Sequence, residues 1–209
     1  MKNATPLPFA LQRRTARPST QRGITTVQIA IGILVSIIAL VGSFGGFQYV
    51  AQAKVNTDIN ILADLKTATV RYGSSLGNGG FTAGNSAMAV LNNLGFFAST
   101  GLTVGGSATE PTVKNQYQGA VTVLPAVVAD IDPGTEGLTF TFADLPSAAC
   151  RDLALRIDNL AHAIKATPAK TGNASTVKAL GKAMDPVAAA TGCAGSGNVN
   201  QLAVTFSRT

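Results

Sequence analysis

The chain has no tryptophan, one histidine and two cysteines, and aromatic residues make up only 6% of its 209 residues. A core built without tryptophan has to be filled by Ala, Val, Leu and Phe. His162 alone with Cys150 and Cys193, neither in a CxxC pair, does not make a zinc set. Charge is also scarce. The window Ile24 to Ala53 holds no charged residue, and the first twenty-three residues hold no acid.

That last absence stands out against what is present. Lys2, Arg13, Arg14, Arg17 and Arg22 place five positive charges before Gly23, leaving eleven basic and ten acidic side chains for the rest of the chain. The formal net charge of +6 is therefore a property of the leader. The remainder shows no Lys/Arg cluster along its sequence, so no nucleic-acid partner is expected. As a helix, Ile24–Ala53 would be roughly 45 Å long, more than the roughly 30 Å hydrocarbon core of a bilayer requires. The basic flank keeps the N-terminus cytoplasmic and sends the C-terminal domain outward. In that exported compartment an even pair of cysteines favours a Cys150–Cys193 disulfide.

Three processing routes fit this N-terminus. A secretory signal could be cut at Ala51-Gln52-Ala53, but its apolar region would be about twice the usual length. An uncleaved anchor is allowed by the length. The third route is cleavage on the cytoplasmic side, between Gly23 and Ile24.

Beyond Lys54 the pattern is helical: Val55, Ile59, Leu62, Leu65, Thr69 and Tyr72 form a stripe, with Lys54, Asp58, Lys66 and Arg71 off it and Gly73 as the stop. Residues Gly42, Gly45 and Gly46 are the weak point of this long helix. Three glycines cost it roughly 3 kcal/mol of helix propensity. Residues 74–114 read as an elaborated loop holding a short helix, Ala87 to Leu94, stopped by Gly95. Strands are expected at Gly119–Leu124, Leu138–Phe142 and Leu202–Phe206. Between the last two, a helix follows Pro146-Ser147 with Leu153, Ile157, Leu160 and Ile164 on one side, and a weaker one covers Val177–Met184 before Asp185-Pro186. The economical assembly is an α+β fold, with an antiparallel sheet packed on the C-terminal half of the long helix.

Candidates for chemistry lack company. Asp158 and His162 sit one turn apart on the expected helix, but no nucleophile motif accompanies them. Gly181-Lys182-Ala183 lacks the spacing of a phosphate loop, and Gly77-Asn78-Gly79-Gly80 follows a helix rather than a strand. Ser147 and Ser175 have no activating context. Asp130-Ile131-Asp132-Pro133-Gly134-Thr135-Glu136 suggests an acidic turn more than a calcium loop, which needs six or more converging oxygens. No enzyme signature, metal site or cofactor is expected.

A basic leader ending in Gly23, an apolar first mature residue and a long apolar helix running into an amphipathic one resemble prepilins of type IV pili. The long leader and the late cysteine pair look like the type IVb subclass, and the stretches TFTFADLPSAAC (139–150) and NVNQLAVTFSR (198–208) resemble PilS-type pilins. The resemblance implies a leader (1–23) removed by prepilin peptidase after Gly23 and methylation of the new Ile24 amine. It implies a stem at 24–53, an amphipathic segment at 54–73, and a head at 74–209 with its disulfide-bounded region at 150–193. The type IV pilin-like stem would polymerise with copies of itself at an inner-membrane assembly platform, alongside a minor pilin or adhesin. The head would be periplasmic first and part of an extracellular filament for attachment or conjugation later. The glycine stretch would lose helical order in the filament. In this family the fifth mature residue is usually Glu, set against a neighbouring subunit's terminal amine; here it is Gln28, which can accept a hydrogen bond but cannot cancel a charge. A minor pilin or secretion pseudopilin, and a membrane-tethered periplasmic binding domain, are the alternative readings.

Overall fold

In a computed structural model, residues 52–77, 80–98, 100–128, 136–169 and 172–208 are described, and the elements below belong to these residues. Gly23, Ile24, Gln28, Gly42, Gly45, Gly46 and residues 129–135 lie outside them.

Helix α1 runs through residues 52–75. Val55, Ile61, Leu62 and Leu65 are buried along one face, and Thr69 joins them by returning its hydroxyl hydrogen to the Leu65 carbonyl at 2.7 Å. This is the three- and four-residue periodicity of a helix laid on a core. Two expectations change here. Asp58 belongs to the buried stripe, and the helix passes Gly73 by two residues. Gly73 is required for another reason: a Cβ there would collide with the Arg208 side chain and lie 3.2 Å from Phe81.

After α1 come helix α2 (Met88–Asn93) and a two-stranded antiparallel hairpin, β1 (Thr103–Gly106) and β2 (Pro111–Lys114). Gly95, at φ +69°, follows α2 as expected. The hairpin lies in the stretch expected to be loop; β1 is exposed along its whole length and carries no alternating apolar signal. The main sheet has five strands in the order β3-β4-β7-β5-β6, each pair antiparallel. They are β3 (Val121–Ala126), β4 (Gly137–Pro146), β5 (Ala163–Thr167), β6 (Ser175–Lys178) and β7 (Asn198–Ser207). Helices α3 (Ser147–Arg156) and α4 (Pro186–Gly192) lie in the chain after β4 and before β7.

Register explains the core. Phe142 faces Val121 on one side and Leu202 on the other, and Leu202 in turn faces Ala166; Phe140, Val204 and Ile164 form the adjoining row. All of these are buried. Alternate residues put Thr139 opposite Thr205, their hydroxyls 2.8 Å apart, on the other face. Alternation through Leu138–Phe142 and Leu202–Phe206 is why β4 and β7 could be read from sequence. The two stretches resembling PilS-type pilins are these paired strands with the start of α3 and the closing Arg208.

The disulfide-bounded region is where the sequence reading needs correction. Helix α3 ends at Arg156, so Leu160 falls in a turn and Ile164 in β5; the apolar three- and four-residue spacing crosses a chain reversal. Val177 is in β6, not a helix. The helix instead starts at Pro186: the Asp185 carboxylate accepts from the backbone N–H groups of Val187 (2.8 Å) and Ala188 (3.2 Å), with proline at the first helical position. Asp-Pro here is a helix start rather than a stop.

Candidate functional site

Two constellations hold α1 and the disulfide-bounded region to the sheet, and a third buries charge beside α1 without partners. At the far end of α1, Arg208 follows β7 and reaches the carboxylate of Glu136, just before β4, with two guanidinium nitrogens. One of these is 2.7 Å from Oε1. The Arg208 backbone N–H also donates to the Glu136 carbonyl at 2.9 Å, and a further guanidinium nitrogen donates to the Gly77 carbonyl beyond α1. Glu136 is 5% exposed, so this bidentate pair is largely desolvated and its partners depend on one another. Glu136 is thereby committed to structure. Among the described residues no group of three or more ligand side chains could hold a metal.

The second constellation is the disulfide. Cys150 lies on α3 and Cys193 caps α4; they are bonded, with Cα atoms 5.7 Å apart and 43 residues of separation. Both are fully buried. Ser147 donates its hydroxyl to the Cys193 carbonyl, a structural use of that serine. Asn200 of β7 completes the anchoring: its amide nitrogen donates to the carbonyls of Leu145 and Gly195, each at 3.0 Å, and its oxygen accepts from the Gly195 N–H at 2.9 Å. A buried amide satisfied on both ends specifies one arrangement of the loop.

The third constellation lies at the start of the described part of α1. Asp58 is 3% exposed and neither carboxylate oxygen has a hydrogen-bond partner. Burial raises its pKa from 3.8 to about 7, against the opposing pull of Lys54 one turn earlier. Tyr117, on the turn between β2 and β3, carries a buried hydroxyl that is also unpartnered. Its pKa is raised to about 12 by burial and then by the charges of Asp58 and Asp152. The Lys54 ammonium sits 5.6 Å from the centre of the Tyr117 ring, a cation–π contact that leaves the hydroxyl unsatisfied. Nearby, Arg156 of α3 donates to the Asn56 side chain at 3.0 Å. Sequence reasoning assigned Asp58 to the solvated side because it is charged. Its spacing from Val55 and Leu62, three and four residues, places it on the apolar stripe.

Asp158 and His162 do not share a helix as expected: residues 158–160 are a turn, and His162 precedes β5 with its backbone N–H on the Thr205 carbonyl at 2.9 Å. The Asp158 carboxylate is 2.9 Å from Lys178. Ser175 lies in β6, and Gly181-Lys182-Ala183 in the turn that follows. Among the described residues no helix is long and apolar enough to cross a membrane.

A helix laid on an antiparallel sheet, with a disulfide closing the C-terminal region, makes an α+β fold that is found again among solved pilins. The crystal structure of a type IVb pilin from Salmonella typhi matches with a TM-score of 0.55 at 20% identity, over 73% of this chain and 99% of that one. TcpA, a type IV pilin from Vibrio cholerae El Tor biotype, gives a TM-score of 0.48 at 14% identity, over 74% of this chain and 99% of that one. Residues 52–207 match the PilS N-terminal family, and the chain belongs to it. No curated protein sequence matches.

Proposed function

We propose that the chain is the structural subunit of a type IVb pilus, synthesised with the leader 1–23 and cut after Gly23 by prepilin peptidase. The observation that carries this reading is family membership over residues 52–207. The N-terminal sequence supports the finer steps: Gly23 stands before an apolar Ile24 that opens a run of thirty uncharged residues. Methylated at Ile24 and released from the inner membrane, the stem 24–53 packs with other stems into a filament core, and the heads form the outer wall. Small side chains such as Gly42, Gly45 and Gly46 allow close helix approach or local loss of helix. The screw relation between copies leaves contacts that never close, so a filament results. The protein is structural and non-enzymatic in this reading, and its partners are copies of itself, the peptidase, the inner-membrane assembly platform and an adhesin or minor pilin.

Gln28 favours a second reading, a minor or initiating subunit, because an amide cannot neutralise a neighbouring terminal amine. Immunogold labelling along the filament separates the two: continuous labelling is expected for a major subunit, and labelling confined to tips or absent for a minor one. For the processing step, Gly23→Leu is expected to leave an unprocessed membrane form with no surface filament. Normal maturation of that variant would defeat the assignment.

A further inference from the structure

The sequence carries no run of basic residues after the leader, yet the fold assembles one. Lys66 from α1, Lys178 from the end of β6 and Lys182 from the following turn line a single cleft of about 280 Å³, together with Asp158, Asn159 and His162 from the turn before β5. Lys178 is committed: it donates to the Asp158 carbonyl and pairs with the Asp158 carboxylate at 2.9 Å, and only 15% of its side chain is exposed. Lys66 is half-buried and Lys182 exposed, and neither has an ion-pair partner among the described residues. The cleft therefore holds three ammonium groups against one carboxylate.

The remaining chemistry narrows the anion. The Asp158 side chain is 36% exposed, and Asn159 adds an amide donor and acceptor, so the cleft offers groups for hydroxyls beside its cations. A carboxylate on the wall disfavours a dense polyphosphate, and the lining holds no Phe or Tyr ring. The volume falls just below the roughly 300 Å³ at which pockets for drug-sized ligands begin. It suits one sugar ring with its acidic group.

We propose that this cleft binds an acidic sugar, a single pyranose-sized ring bearing a carboxylate or a phosphate, with Lys66 and Lys182 on the anion and Asp158 and Asn159 on ring hydroxyls. The cleft belongs to the head; its use in attachment rests on the pilus reading. Binding is measured on the full chain in detergent micelles, without filaments, so the two ideas fail separately.

The probes are glucuronate, glucose 6-phosphate, inorganic phosphate and uncharged glucose, followed by titration calorimetry and by chemical-shift changes at Lys66, Asn159 and Lys182. Saturable binding of glucuronate or glucose 6-phosphate on the order of millimolar, at least tenfold tighter than glucose, is expected. The first acid binding better points to uronate-bearing glycans and the second to phosphorylated ones. Lys66→Gln with Lys182→Gln should weaken it about tenfold or more, and exposed Lys182→Glu alone should do so without touching the packed α1 face; Lys114→Gln, distant in the chain and outside the cleft lining, should leave it unchanged. The proposal is overturned if neither acid saturates, if the lysine variants bind as the parent does, or if inorganic phosphate binds as tightly as glucose 6-phosphate.

Discussion

At its C-terminal end helix α1 meets a bidentate Arg208–Glu136 pair, a carbonyl satisfied by the same guanidinium, and a glycine at the point of closest approach. At Lys54–Asp58 the same helix buries a carboxylate and faces a tyrosine hydroxyl with no hydrogen bond for either. Both places bury charge; only one completes it. Desolvation is offset where geometry supplies partners and remains a net cost where it does not. The satisfied place therefore acts as a fixed clamp, and Lys54–Asp58 as a contact whose strength depends on protonation.

The largest effect should come from breaking the clamp. Arg208→Ala leaves Glu136 buried and uncompensated, and urea unfolding of the detergent-solubilised chain is expected to show a loss of about 3–5 kcal/mol. Loss of less than 1 kcal/mol would mean that the pair is not holding α1 to the sheet. Next is the disulfide. The Cys150→Ala, Cys193→Ala double variant releases a loop of 43 residues and should lose about 2–4 kcal/mol, while keeping the parent's dependence on pH.

Asp58 should act in the opposite direction. A carboxyl whose pKa is higher folded than unfolded contributes stability that is complete below about pH 3.8 and is lost as pH rises to about 7, above which its slope vanishes. Asp58→Leu is expected to remove that slope and to stabilise the head at pH 8 by about 1–3 kcal/mol. Thermal unfolding across pH 4–8 reads both, and an unchanged slope in the variant would place the linkage elsewhere. Tyr117→Phe, which deletes the unpartnered hydroxyl and keeps the ring under Lys54, should change stability by less than about 1 kcal/mol and in the stabilising direction. A clear loss of stability would show that the hydroxyl has a partner.

The same contrast separates what the sequence discloses from what it hides. Alternation made β4 and β7 readable because they are central strands with one buried face, and the stripe of α1 was readable for the parallel reason at helical spacing. Short strands gave no such signal. Ile164 in β5 continued the spacing of Leu153 and Ile157, and only the turn after α3 breaks that helix. Asp185-Pro186 misled because the residues that end one helix are those that begin another; deciding needs the Val187 and Ala188 N–H groups that Asp185 accepts. Asp58 was hidden by its charge, although its position pointed inward. The lysine cleft could not be read at all, since Lys66, Lys178 and Lys182 are brought together by the packing of α1 beside the β5–β6 edge. Cys150 and Cys193 were legible as a pair because compartment and count suffice where geometry is unknown. Gly23, Ile24 and Gln28 stand on sequence, outside the described residues.

The central claim concerns those N-terminal residues and is tested most directly by the intact mass and first residue of the protein recovered from membrane and sheared-surface fractions. A chain beginning at Ile24, heavier by one methyl group and present in the sheared fraction, is the predicted result. A chain beginning at Met1 or Lys54, or one absent from the sheared fraction, would contradict the account.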